Sequence, residues 1–140
     1  MRALLIAVLA CLLLLIPAGC KEATPTDTVM LGQGFQVAIG ETVVFSDADL
    51  KIKFTEVIED SRCPADVVCI WAGKVSCLLD VTINNETKQT ILTQPGLSDM
   101  YDTEQYRQYT MQFQVEPYPM SGAEIKDSDY RLWLTVTKAP

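Results

Sequence analysis

The chain has 140 residues, 18 Asp and Glu against 11 Lys and Arg, and no histidine, for a formal net charge of −7. No basic cluster occurs along it, which argues against nucleic acid as a partner, because affinity there comes mainly from neutralising phosphates. The missing histidine removes Ser-His-Asp and Cys-His catalysis and the commonest metal ligand.

The N-terminus reads Met1-Arg2 and then runs apolar from Ala3 to Ile16. That run is shorter than the roughly 20 residues a helix needs to span a hydrocarbon core. A charged start, a short apolar stretch and small residues behind it read as a secretory signal. Ala18-Gly19 stand directly before Cys20. This junction resembles the lipobox of bacterial lipoproteins, with Pro17 where that pattern usually has Leu. The resemblance implies cleavage after Gly19, a diacylglyceryl group on Cys20 and attachment to a membrane through that lipid. The alternative is an ordinary signal peptide followed by a chance cysteine. Lys21 is not the Asp that resembles an inner-membrane retention signal. The expected location is therefore the outer membrane of a two-membraned cell, or the outer face of the plasma membrane of a single-membraned one.

Removal of residues 1–19 leaves about 120, ample for one domain and short for two. Residues 20–32 read as lipid anchor and tether, Thr- and Pro-bearing with little apolar content, and residues 33–140 as the folded domain. Of five cysteines, Cys11 leaves with the signal and Cys20 carries lipid. Cys63, Cys69 and Cys77 remain in an oxidising space, where one intramolecular pair can form and one thiol is left over.

Within the domain, apolar and polar residues alternate segment after segment. Phe35, Val37 and Ile39 lead to Gly40-Glu41 and then Val43-Val44-Phe45. Leu50, Ile52 and Phe54 form a second run; Val75, Cys77, Leu79, Val81 and Ile83 a third, with only Leu78 out of pattern. Asn84-Asn85 offers a turn before a weaker strand, Lys88 to Gln94. Tyr109, Met111, Phe113 and Val115, then Tyr130, Leu132, Leu134 and Val136, complete the set. Period-two alternation rich in β-branched and aromatic residues predicts strands with one buried face. No segment of the domain sustains a helical period, which leaves at most a short helix between Asp99 and Arg107. Six or seven strands in about 110 residues predict an all-β, antiparallel sandwich of immunoglobulin-like size, with a small β-barrel as the alternative. A sandwich supplies the second sheet that each buried face needs.

Residues 60–73 read Asp-Ser-Arg-Cys-Pro-Ala-Asp-Val-Val-Cys-Ile-Trp-Ala-Gly and lie between two strands, as a hairpin loop. With the turn centred on Asp66, Cys63 falls opposite Cys69, within disulfide range for an antiparallel pair. Cys77 is eight residues from Cys69, roughly 26 Å along a strand, and reads as a buried free thiol. The same register sets Thr55 against Cys77, a polar face against an apolar one, so a bulge must intervene, with Ala72-Gly73 the expected place. The string resembles a motif of small bacterial secreted proteins and lipoproteins, Asp-Ser-Arg-Cys-Pro, four residues, Cys, one residue, Trp-Ala-Gly. Later segments, Val115 to Pro119 and Ser128 to Tyr130, look similar too. The resemblance implies a compact β domain with a disulfide-closed loop and no particular activity.

Two readings of the loop follow. In one it is a rigid recognition site displaying Arg62, Asp66 and Trp71, since aromatic and Arg groups anchor interfaces. In the other the disulfide staples a hairpin, Trp71 packs over it, and Asp60 with Arg62 ties the loop to the body. Elsewhere, carboxylates gather at Asp47/Asp49, Asp99/Asp102/Glu104 and Asp127/Asp129 without the spacing of a calcium loop. No cofactor, metal site or catalytic residue is indicated. The functional expectation is a non-enzymatic binding or envelope-interaction module, its partner an unidentified protein or envelope component. The alternatives are a histidine-free, carboxylate-dependent hydrolase and a loop-presenting protease inhibitor.

Overall fold

The alternating segments become strands of two stacked sheets. The structure is a computed structural model that describes residues 26–97 and 101–140. The segment expected as a signal and the expected lipidation site, Cys20, lie outside the described residues, as does Asp99. In chain order the strands are β1 (Thr26–Val29), β2 (Gly34–Ala38), β3 (Thr42–Phe45), β4 (Leu50–Asp60), β5 (Lys74–Ile83), β6 (Glu86–Pro95), β7 (Asp102–Tyr106), β8 (Tyr109–Glu116) and β9 (Arg131–Lys138). One 3₁₀ turn, Asp127–Asp129, precedes β9, and no α-helix occurs among the described residues. The sheets have the orders β1-β3-β4-β5-β6 and β2-β9-β8-β7. Neither closes on itself, so the fold is a β-sandwich and not a barrel.

Each alternating segment buries the face its pattern marks. Leu50, Ile52 and Phe54 of β4 and Val75, Cys77, Leu79, Val81 and Ile83 of β5 are buried in the first sheet. Met111, Phe113 and Val115 of β8 and Leu132, Leu134 and Val136 of β9 meet them from the second. Burying each such large side chain is worth about 1.5 to 3 kcal/mol, which makes this layer the main source of stability. Phe35 of β2 and Phe45 of β3 meet edge to face across the layer, ring centroids 5.8 Å apart. The Asn84-Asn85 turn forms as expected. Both residues have positive φ, 51° and 63°, which Asn tolerates and which a two-residue hairpin with matching twist requires.

Three features differ from the sequence reading. Thr26–Val29, assigned to the tether, is an edge strand that pairs parallel with β3, so the folded domain takes in residues before 33 and its first sheet is mixed. The segment expected as a short helix contains instead β7, Asp102–Tyr106, paired with β8. With these two the strands number nine among the described residues, against the six or seven expected. The register correction does fall in the β4–β5 hairpin, but within β4. Shifts occur between Phe54 and Glu56 and between Val57 and Glu59, and they bring Val57, not Thr55, opposite Cys77. Thr55 and Ile58 are the extra residues, and Ala72-Gly73 is not the bulge.

Strand directions place the candidate site. β4 ends at Asp60 and β5 starts at Lys74, so residues 61–73 close this hairpin at one end of the sandwich. The β6–β7 and β8–β9 connections leave the sheets at the same end.

Candidate functional site

Strand pairing continues past Asp60 and Val75 into the loop. Ser61 donates its N–H to the Lys74 carbonyl at 2.8 Å, and Cys63 donates to the Ala72 carbonyl at 3.0 Å. The partner of Cys63 in the ladder is therefore Ala72 and not Cys69, and the turn is not centred on Asp66. The disulfide between Cys63 and Cys69 nonetheless forms, with Cα atoms 6.0 Å apart, and closes a ring above the last rung. Gly73 has φ +71°, and a Cβ there would lie 1.8 Å from the Ser61 carbonyl oxygen. Only glycine permits both the left-handed backbone and this approach. Gly96, at the end of β6, packs equally close: a Cβ would meet the Ala72 carbonyl oxygen at 1.9 Å, and its N–H donates to the Gly73 carbonyl at 2.8 Å.

Arg62 forms the foot of the loop and is not displayed. It is buried, 5% exposed. Its Nε and Nη2 donate to the two carboxylate oxygens of Asp60 at 2.8 and 2.6 Å, a planar fork on a carboxylate. Nη1 and Nη2 also donate to the carbonyl oxygens of Val115 and Pro117, each at 2.9 Å. The guanidinium lies over the Tyr118 ring, 5.0 Å from its centroid. Tyr130 completes the cluster by donating its hydroxyl to Asp60 Oδ2 at 3.0 Å.

This cluster solves a problem of the second sheet. β7 pairs with β8 only as far as Asp102 opposite Phe113, so among the described residues β8 runs on toward Glu116 without a strand partner on that side. The N–H of Val115 donates to buried Gln94 of the facing sheet at 2.9 Å, and its carbonyl takes the Arg62 bond. Buried backbone groups must find partners, and here the opposite sheet supplies them through two side chains.

Burial and charge shape two nearby titrations. Burial pushes the Cys77 thiol up to about 12, with Arg62 opposing and Asp60 reinforcing the rise. Cys77 is thus a protonated, unreactive core thiol. Burial, the Asp60 charge and its hydrogen bond together raise the Tyr130 phenol to about 12.

The tip of the loop is of opposite character. Val68 and Ile70 are fully exposed, at 102% and 110% of their free surface, and Trp71 is 73% exposed, so it does not pack over the disulfide. Met120 and Leu97, from the neighbouring connections, are exposed beside it. The tip is nevertheless fixed. Ala65 donates to the Pro119 carbonyl at 3.0 Å, Asp66 accepts the Ser121 N–H at 2.7 Å, and the disulfide closes the ring. Of the expected display set, Trp71 is presented, Asp66 braces the loop with its carboxylate, and Arg62 is enclosed. Sequence reasoning passed over Val68 and Ile70, although three apolar residues within four positions of a predicted loop are themselves a signal.

Among the described residues little else gathers chemistry. Asp47 accepts the Leu31 N–H, and Asp129 accepts the Lys126 N–H within the 3₁₀ turn. Among the described residues no group of three or more His, Cys, Asp or Glu side chains could hold a metal ion. An open depression of about 390 Å³ runs along Gln114 to Tyr118 with Asp129 and Arg131, beside the foot of the loop. Arg131 Nη1 is held by the Ser128 and Tyr130 carbonyls at 2.7 Å, and Glu116 accepts the Trp133 indole N–H at 2.8 Å. Comparison with protein-family models, curated proteins and solved structures finds no match to this chain.

Proposed function

We propose that the chain is a lipid-anchored, extracytoplasmic binding module, non-enzymatic, whose contact surface is the tip of the Cys63–Cys69 loop. The observation that carries this reading is the exposure of Val68, on the ring that the disulfide and the Asp66 brace hold, and of Ile70 and Trp71 directly after it. Exposed apolar side chains cost solubility and mark interaction sites when they cluster. A preorganised ring loses little conformational freedom on contact, so more of its apolar burial appears as affinity. The lipid on Cys20 would supply the location and the loop the contact.

Two measurements test the reading. Mass spectrometry of the mature protein should give an N-terminus at acylated Cys20; any other N-terminus removes the anchor. A photo-crosslinking residue at Ile70 of the full chain in bacterial cells should give adducts that the same residue at exposed Gln112 of β8 does not. Equal or absent adducts at the two positions would rule out the loop as the contact surface.

A further inference from the structure

We infer that the surface taken by the loop tip is the bilayer that holds the lipid anchor, with Val68, Ile70 and Trp71 lodged in its headgroup–acyl boundary; the inference rests on the anchored-module reading above. It follows from strand direction. β3 is antiparallel to β4, with Thr42 opposite Lys53 and Val44 opposite Lys51, so the start of β3 points toward the loop end of the sandwich. β1 is parallel to β3, with Thr26 opposite Thr42. The chain therefore enters β1 from its loop-facing side, and with the anchor on that side the domain stands loop end toward the bilayer.

Length then decides how near the bilayer must lie. Five residues, Lys21–Pro25, separate Cys20 from Thr26. Fully stretched, that interval spans at most roughly 22 Å. Thr26 sits level with Lys53, hence with Asp80 of β5, through Thr42. From Asp80 up to Ala72, at the base of the ring, the hairpin rises roughly 26 Å at strand spacing. The loop stands at least as tall as the tether is long. A domain upright on this anchor brings its tip into the membrane interface.

The tip's chemistry suits that place. Between Cys63 and Gly73 the only charged side chain is Asp66, exposed, with one carboxylate oxygen accepting the Ser121 N–H. Trp favours the interface, where its ring is apolar and its N–H remains wet. Aliphatic side chains on a surface-bound segment bury a few ångströms into the same zone. The tip carries no exposed cation, so the contact is with the apolar boundary and not with a particular headgroup.

The test uses the full chain, processed in cells, purified with its lipid and reconstituted in phosphatidylcholine vesicles with brominated acyl chains. Trp133→Phe leaves Trp71 the sole tryptophan. Its emission should shift to the blue and be quenched by bromines near the headgroup. Val68→Asp with Ile70→Asp should abolish the quenching while the protein stays on the vesicles through its lipid; an unchanged circular dichroism spectrum shows that the fold is intact. Retention on vesicles with Trp71 unquenched overturns the inference and leaves the anchored module standing. So does exclusive transfer of the Ile70 crosslink to a protein in cells. Failure of retention overturns both.

Discussion

The guanidinium of Arg62 donates to the carbonyl oxygen of Val115 at 2.9 Å, joining the foot of the disulfide loop to the part of β8 that β7 leaves uncovered. With the Asp60 fork and the Pro117 carbonyl, it makes a buried cation the joint between the two sheets at this end. Arg62→Ala would leave the Asp60 carboxylate, 9% exposed, without its countercharge. Removing one partner of a buried pair costs about 3 to 5 kcal/mol, a large share of a total stability of roughly 5 to 15. Urea unfolding should show the midpoint falling at an unchanged slope. Arg62→Met combined with Asp60→Leu should be less damaging than Arg62→Ala, because no isolated charge is left behind.

Gly73→Ala should rival that loss without touching any charge. Its Cβ would overlap the Ser61 carbonyl, a backbone atom that cannot swing away, at a φ of +71° that alanine resists. The hairpin would have to open at Ser61–Lys74, and about 3 kcal/mol or more is expected. The same urea titration measures it, and a change below about 1 kcal/mol would mean that the loop foot adjusts freely.

The disulfide should be less critical than either. It closes a ring of sequence separation six, and constraining so short a loop in the unfolded chain is worth about 2 kcal/mol. The core is built from β-strand side chains that do not depend on it. Cys63→Ser with Cys69→Ser should therefore stay folded, lose about 2 kcal/mol, and become prone to proteolysis between Val67 and Trp71, which limited digestion would show.

These contrasts mark what the sequence could tell. In β4, β5, β8 and β9 the alternation is decisive, because a strand with one buried face needs apolar residues only at every second position. β1 and β7 carry no such pattern. Thr26–Val29 and Asp102–Tyr106 are edge strands held by backbone bonds to a single neighbour, so their side chains were free to be polar. The need for a bulge was legible from register, but its site was not: Thr55 and Ile58 have no local signature, and the more suggestive Gly73 serves close approach. The Cys63–Cys69 pair forms as expected, although the register that set Cys63 opposite Cys69 does not: Cys63 faces Ala72. The enclosure of Arg62 was not legible, because its carbonyl partners lie more than fifty positions away.

Alkaline pH should weaken the fold in two stages. The Cys77 thiol moves from 9.0 unfolded to about 12 folded, and the Tyr130 phenol from 10.0 to about 12. In each case the folded protein keeps a proton that the unfolded chain gives up. The stabilisation is complete below the unfolded value and drains away as pH rises toward the folded one. The slope approaches about 1.4 kcal/mol per pH unit for each group. Of the two, Cys77 acts first, between pH 9 and 10, and Tyr130 joins above that. Cys77→Ala should flatten the first stage, and Tyr130→Phe the second. Equal slopes for wild type and Cys77→Ala across pH 9 to 10 would show that the thiol titrates alike in both states.

The loop's tip and foot should separate cleanly in stability. Trp71 is 73% exposed and Val68 and Ile70 wholly so, and none of them contributes to the core cluster. Surface substitutions away from caps and strained backbone stay within about 0.5 kcal/mol. Trp71→Ala and Ile70→Ala should leave the unfolding midpoint where it is, although Arg62→Ala lies only a few positions away. Solubility should rise in Val68→Asp with Ile70→Asp, since an apolar patch is replaced by charge of the same sign as the domain's own. A Trp71→Ala variant that unfolds as readily as Arg62→Ala would make the indole a structural element, and the tip could no longer be treated as a surface kept for contact.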